Sequence, residues 1–235
     1  MAPWQSLAAQ MFDLTLIGIG TGNPDHLTLQ AIKAINAAEV ILIPRKGAGK
    51  ADLAELRRAI LAEVLTNPAT KVVEFDLPVR DEAIADYLAR VEDWHDRIAA
   101  VWAKAIGAAG KVALLVWGDP SLYDSTLRIA ARLVPPERVQ VIAGITSVQA
   151  LTAAHGIALN EIGAPFVVTT GRRLRDEGFP LGVDTAVVML DGVPITDPGG
   201  GMNLASVSSS ALERMEVVRG PQSSLYGAEA ASGVI

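Results

Sequence analysis

Residues 111–120 read KVALLVWGDP. Val112 to Trp117 are apolar without interruption, and no charge falls between Lys111 and Asp119. The run is far too short to cross a bilayer and too unbroken for a half-exposed strand. It fits a β-strand covered on both faces, the usual state of a strand in a parallel sheet. Gly118, Asp119 and Pro120 stop it abruptly. In open α/β sheets, ligands bind beyond the carboxyl ends of the strands, so this turn is a candidate site.

On both sides of that strand, β-like runs alternate with helical periods. Residues 14–18, 40–44, 72–77 and 138–143 are strand candidates. Residues 28–38 place Leu29, Ile32, Ile35 and Ala38 on one helical face, and residues 51–65 do the same with Leu53, Leu56, Ile60 and Val64. Residues 81–109 predict a long amphipathic helix, open to a break, with Tyr87, Val91, Trp94, Ile98 and Trp102 as its stripe. Residues 126–133 and 147–155 are further helices. The alternation predicts a largely parallel five-strand α/β domain over residues 12–160, with helices on both faces. Residues 166–170 and 185–190 begin a second α/β unit, joined by a polar segment rich in arginine. Residues 213–219 alternate like a strand.

Composition narrows the classes. A chain of 235 residues at net charge −6 and pI about 5.1 is not expected to bind nucleic acid. With no cysteine and only three histidines, disulfides and thiolate metal sites are excluded and no metal is expected. No apolar run is long enough for a bilayer, and residues 1–10 lack the basic start of a secretory signal. The expectation is a cytoplasmic chain without a membrane partner. Met11 directly precedes the first strand pattern, so residues 1–10 read as an extension from an upstream start.

Three glycine-bearing turns follow strand candidates. The first is Gly18-Ile19-Gly20-Thr21-Gly22-Asn23-Pro24. It departs from the dinucleotide fingerprint, because Asn23 stands where the third glycine belongs and Pro44-Arg45 where a ribose-binding acid belongs. Either a ligand or another stretch of backbone approaches closely here. The second turn holds Gly118 and Asp119, and Asp119 reads either as a ligand contact or as a helix-entry cap. The third is Ala143-Gly144-Ile145-Thr146-Ser147, where a hydroxyl caps the next helix, meets a ligand, or does both. Basic residues cluster at Arg45-Lys46, Lys50, Arg57-Arg58 and Arg172-Arg173-Arg175. Arg57-Arg58 reads as a solvated helix face. Arg45, Lys46 and Arg172 follow strand ends, where a polyanion could meet them. His95 and His155 read as helix-surface or core residues; His26 lies in the first turn.

In order and spacing, GIGTGNP, WGDPSLYDS and AGITSVQALTAAHGI resemble the signature of the tetrapyrrole (corrin/porphyrin) methylase family. The stretches IPRKGAGKADLAELRR, LTNPATKVVEFDLPVRD, VEDWHDRIAAVW and APFVVTTGRRLRDEGFP extend the likeness from Phe12 to Gly192. The resemblance implies two α/β domains with S-adenosyl-L-methionine between them. It also implies methylation of one ring carbon of a corrin precursor, with an acetyl fragment leaving as acetate. Matched onto this sequence, the cofactor contacts are Pro24, Trp117, Gly118, Asp119, Leu122, Thr146, Ser147 and Leu190. The substrate, a polycarboxylate tetrapyrrole, falls to Arg45, Lys46, Tyr123 and Arg172. An activated methyl group needs orientation more than a nucleophile, and no catalytic residue is singled out. Acetyl loss needs activated water or acid–base help. Asp25, His26, Asp119 and Tyr123 are candidates by position. The assembly is left open between monomer and homodimer.

The likeness changes after Asp191-Gly192. DGVP, ERMEVVRGPQSSLYG and the final GVI resemble the plug domain of TonB-dependent outer-membrane receptors. The resemblance implies a chimera: a second methylase domain truncated to residues 161–192 and a plug-like tail over 193–235. The chain stops inside an apolar stretch, which reads as a cut. The alternative functional readings are an inactive chimeric remnant or a fragment of a receptor plug. The tail is expected to pack poorly on the methylase body.

Overall fold

The computed structural model describes residues 12–45, 52–190 and 214–219. The readings of residues 1–10, Lys46, Lys50 and most of the tail motifs lie outside them. The first unit runs β1 (Asp13–Gly18), α1 (Leu29–Ala37), β2 (Val40–Arg45), α2 (Asp52–Val64), β3 (Lys71–Asp76), α3 (Tyr87–Ile106), β4 (Lys111–Val116), α4 (Thr126–Ala130) and β5 (Val139–Ile142). Its five strands are parallel in the order β3-β2-β4-β1-β5.

Strand alternation sends apolar side chains to both faces, and helices cover each. Leu14, Leu16, Val40, Leu42, Val112, Leu114 and Val116 pack against Ile98, Ala99, Trp102 and Ile106 of α3 and Ile129 and Ala130 of α4. Ile17, Ile41, Ile43, Ala113 and Leu115 pack against Ala31 and Ile35 of α1 and Ala54, Ile60 and Leu61 of α2. Val112 to Val116 are at most 2% exposed, as the unbroken run in the sequence required.

Helix starts follow local chemistry. The Thr28 side chain accepts the Ala31 amide at the head of α1. Asp86 does the same for Ala89 at 2.7 Å, so α3 begins at Tyr87 and residues 81–86 form turns instead of extending it. α4 is shorter than its periodicity suggested and ends ahead of Pro135-Pro136.

The second unit begins at Thr146, so the division falls before residues 147–155 and not near residue 160. It holds α5 (Ser147–His155), β6 (Phe166–Thr170), α6 (Gly171–Glu177), β7 (Thr185–Leu190) and β8 (Arg214–Arg219). The arginine-rich segment expected as a plain connection forms α6, capped by the Thr170 hydroxyl. β6, β7 and β8 make a parallel sheet with β7 in the centre. β8 pairs along its whole length, from Thr185↔Arg214 to Leu190↔Arg219. This part of the tail therefore continues the second sheet.

Candidate active site

The chain leaves β1 through α1 toward β2 on one face, and leaves β4 through α4 toward β5 on the other. In the order β3-β2-β4-β1-β5 these two crossovers pass one another, so the turns that follow β1 and β4 meet at the carboxyl ends of the two strands, where open α/β sheets bind ligands. An isolated antiparallel bridge joins the two turns there. The Gly118 amide donates to the Gly20 carbonyl at 2.7 Å, and the Gly20 amide to the Gly118 carbonyl at 3.3 Å. Both glycines have positive φ, +71° and +60°. A Cβ on Gly20 would sit 2.6 Å from Cβ of His26.

The third turn closes on the same point. A Cβ on Gly144 would fall 2.1 Å from the Gly118 carbonyl oxygen, and one on Gly18 would fall 2.5 Å from the Gly144 nitrogen. The three turns cross backbone on backbone, which answers what approaches these glycines: first of all, one another. Asp119 fastens the crossing. Its Oδ2 accepts the Gly144 amide at 2.9 Å; its Oδ1 accepts the Ser121 amide at 2.8 Å and the Ser121 hydroxyl. Burial pushes the carboxyl up, but the hydrogen bonds together outweigh it and hold the pKa below the usual value. Asp119 is 8% exposed. Its bonds tie two loops together, a wider task than capping one helix.

Around this crossing, Pro24 opens a short 3-10 turn whose head is capped by Asn23. Thr21 is buried, and its hydroxyl pairs with Nδ1 of His26 at 2.9 Å. The Leu122 amide donates to the Asp119 carbonyl. Tyr123 is half exposed, with φ at +51°. In the second unit, Thr146 caps α5 by accepting the Gln149 amide, Ser147 is the first residue of that helix, and Leu190 ends β7 opposite Arg219. Arg172 lies in α6, just past the end of β6.

The basic residues sort differently from the sequence reading. Arg45 stands at the end of β2 as expected, paired with Asp76 at 3.0 Å and Glu74 at 3.9 Å. Arg58 is solvated and held by Glu74. Arg57 is not on a solvated face: it is 6% exposed. The reason is a gap in the sheet. β2 pairs with β3 along 40–45 but with β4 only along 40–42. Glu39 and Arg45 give their carbonyls to β3, so alternation turns Pro44 toward β4. Val116 gives its carbonyl to Ile19 beyond β1, so the Leu115 carbonyl turns toward β2. Pro44 has no N–H to offer it. Nε of Arg57 donates there instead at 3.0 Å, while Nη1 reaches the Leu53 carbonyl. The guanidinium lies 4.8 Å from the Trp117 ring centroid. Burial lowers its pKa to about 10, with Asp124 raising it through space. Sequence reasoning missed Arg57. The available signal was the proline inside an otherwise unbroken VILI strand.

Among the described residues no cluster of acidic, histidine or cysteine side chains could hold a metal ion, and no helix is long and apolar enough to cross a membrane. His95 is a core residue, 1% exposed.

A profile of the tetrapyrrole (corrin/porphyrin) methylases matches residues 13–220. The chain belongs to the tetrapyrrole methylase family. The match passes Asp191-Gly192 and takes in β8. The precorrin-6A synthase [deacetylating] of Sinorhizobium sp is 50% identical over 192 residues, covering 78% of this chain and 73% of that protein. The crystal structure of a cobalamin-synthesis-related protein from Corynebacterium diphtheriae matches with a TM-score of 0.61 at 41% identity, over 77% of this chain and 73% of that one. The vitamin B12 transporter of Vibrio vulnificus strain YJ016 is 28% identical over 115 residues, 48% of this chain and 18% of that protein. That is a faint counterpart to the receptor-like tail. As a tetrapyrrole methylase, the chain is a methyltransferase.

Proposed function

We propose that this methyltransferase acts in corrin biosynthesis, taking precorrin-5 to precorrin-6A with release of acetate and using S-adenosyl-L-methionine as donor. The observation that carries the reading is the 50% identity to a deacetylating precorrin-6A synthase over 78% of the chain. The carboxyl ends of β1, β4 and β5, where the three glycine turns meet, are the end of an open α/β sheet that takes ligands, and they suit the cofactor. The meeting point is backbone without Cβ atoms, and Asp119 holds it in shape.

S-adenosyl-L-methionine supplies a methyl group already activated on a sulfonium. By the family's motifs, Pro24, Trp117, Gly118, Leu122, Thr146, Ser147 and Leu190 would contact the cofactor. Asp119 serves chiefly by positioning the turns. The chain's remaining task is to orient the ring carbon and exclude water. Arg45, Lys46, Tyr123 and Arg172 would meet the carboxylates of the macrocycle. Of the four candidates for the acid–base work of acetyl loss, Asp119 has its carboxylate taken up by loop hydrogen bonds. That leaves Asp25, His26 and Tyr123. The reading places the chain in the cytoplasm, as a monomer or homodimer.

The test has two stages on the purified chain. Titration calorimetry with S-adenosyl-L-methionine should give saturable binding. Incubation with precorrin-5 and a methyl-labelled donor should then transfer label to the macrocycle and yield one acetate per methyl. Cofactor binding without acetate release would reassign the substrate. No binding at all would sink the reading.

A further inference from the structure

His26 stands where the glycine turns meet and is held there at three points. Its amide donates to the Asn23 carbonyl at 2.9 Å, within the 3-10 turn Pro24–His26. Its Cβ packs so closely on Gly20 that a Cβ on that glycine would lie 2.6 Å away, and Gly20 is bridged to Gly118. Its Nδ1 pairs with the Thr21 hydroxyl at 2.9 Å. Thr21 is 3% exposed, and a buried hydroxyl keeps its partners. The other ring nitrogen, Nε2, has no hydrogen bond to the described residues and is not sealed from solvent. One nitrogen is fixed and the other is open. Of the other two acid–base candidates, Asp25 is exposed and Tyr123 half exposed.

Which nitrogen carries the proton decides what the ring can do. With Thr21 Oγ accepting from Nδ1–H, Nε2 keeps its lone pair, and the same hydrogen bond strengthens when the ring becomes charged. With the hydroxyl donating to Nδ1 instead, Nε2 holds the proton and is no base. We propose that Thr21 and His26 form the proton-handling pair for acetyl release: Thr21 accepts Nδ1–H as the positioning residue, and Nε2 takes a proton from the water that attacks the acetyl carbonyl.

This role rests on the reaction proposed above. The water oxygen bonds to the acetyl carbon while its proton passes to Nε2. The bond from that carbon to the macrocycle then breaks. Its electron pair stays on the macrocycle, where it offsets the positive charge that methyl transfer brings. The fragment leaves as acetic acid, which ionises, and the imidazolium returns its proton to solvent through Nε2.

The pair is tested first without cofactor or substrate, in the full chain with 15N-labelled histidine under mildly alkaline conditions. The His26 ring nitrogens, assigned by their loss in His26→Gln, should show a protonated Nδ1 and a bare Nε2. Thr21→Val should abolish that preference, and Thr21→Ser should keep it. A protonated Nε2 in the unsubstituted chain overturns the proposal. Kinetics with precorrin-5 and a methyl-labelled donor follow. His26→Gln should lower kcat for acetate release by about 100-fold or more, while calorimetry still shows cofactor binding. Thr21→Val should lower kcat by about tenfold, the worth of one hydrogen bond, with KM for precorrin-5 little changed, and Thr21→Ser should restore it. Should His26→Gln fail to fold, the protonated nitrogen and the Val–Ser comparison still decide. Undiminished acetate release in His26→Gln overturns the assignment and leaves the proposed function standing. Equal losses in Thr21→Val and Thr21→Ser overturn the positioning role. An unsubstituted chain that shows the expected protonation but neither transfers methyl nor releases acetate removes the proposed reaction, and this role with it.

Discussion

The carboxylate of Asp119 accepts the backbone amide of Gly144 at 2.9 Å, tying the turn after β4 to the turn after β5 on the far side of β1. Asp119→Ala leaves that amide and the Ser121 amide without acceptors, at a cost of about 1–3 kcal/mol. The crossing of the turns should loosen with it, so cofactor affinity and melting temperature should fall together in calorimetry and thermal unfolding. Asp119→Asn points an NH2 at one of the two amides and should rescue only part. The carboxyl is held below its usual value, 3.8. Its stabilisation is therefore complete above that pH and is lost as pH falls through the still lower folded value. The Asn variant should lack that acid-side loss, and an unchanged acid profile would refute the clamp.

Gly144→Ala tests whether the three turns truly cross. The added Cβ would meet the Gly118 carbonyl oxygen at 2.1 Å and Gly18 backbone at 2.8 Å. All of these are backbone atoms at strand ends, so relief requires moving a strand end. The expected loss is about 3 kcal/mol or more. Gly156→Ala serves as comparison: its Cβ meets nothing within 4 Å, although its φ of +62° carries a smaller strain. Denaturant titration should separate the two variants clearly, and equal losses would contradict the crossing.

His95 offers a pH prediction. Desolvation lowers its pKa most, and Arg132, Arg128 and Arg80 lower it further against an opposing Glu92. The folded state therefore binds the proton less readily than the unfolded chain does. Stability should decline as pH drops below the ordinary value of 6.5 and level off under the folded pKa. His95→Phe should flatten that limb. The measurement is unfolding free energy from pH 7 down toward 5, and identical slopes for the two proteins would count against it.

The fourth prediction concerns β8. β7 pairs with β6 on one side and with β8 on the other, and Ala186 to Met189 are buried. A chain ending at Leu190 would leave one edge of β7 unpaired and apolar, a template for self-association. Amides of β7 should exchange faster in the shortened chain, and its solubility should drop. Unchanged exchange along 185–190 would mean that β8 adds nothing to this sheet and would favour a foreign tail.

Local pattern alone settled much of this molecule. The period of two in strands and 3.6 in helices located β1 to β5 and the helices between them, because burial on one or both faces is written into the order of apolar residues. Turn chemistry marked the three glycine loops for a similar reason: a glycine or an Asx-type cap acts within a few residues of itself. Register and burial were not local. Arg57 looked like half of a solvated pair until the gap between β2 and β4 placed the Leu115 carbonyl beside it, with Pro44 unable to donate. Asp119 looked like a ligand or a cap until Gly144, 25 positions along the chain, came within hydrogen-bond reach. The strand pattern of residues 213–219 named no partner in the sequence, and β7 supplies one, paired from Thr185↔Arg214 to Leu190↔Arg219. In each case the deciding partner lies far away along the chain. Its identity depends on strand order and register, which are set by the packing of the whole sheet and by no single stretch of sequence.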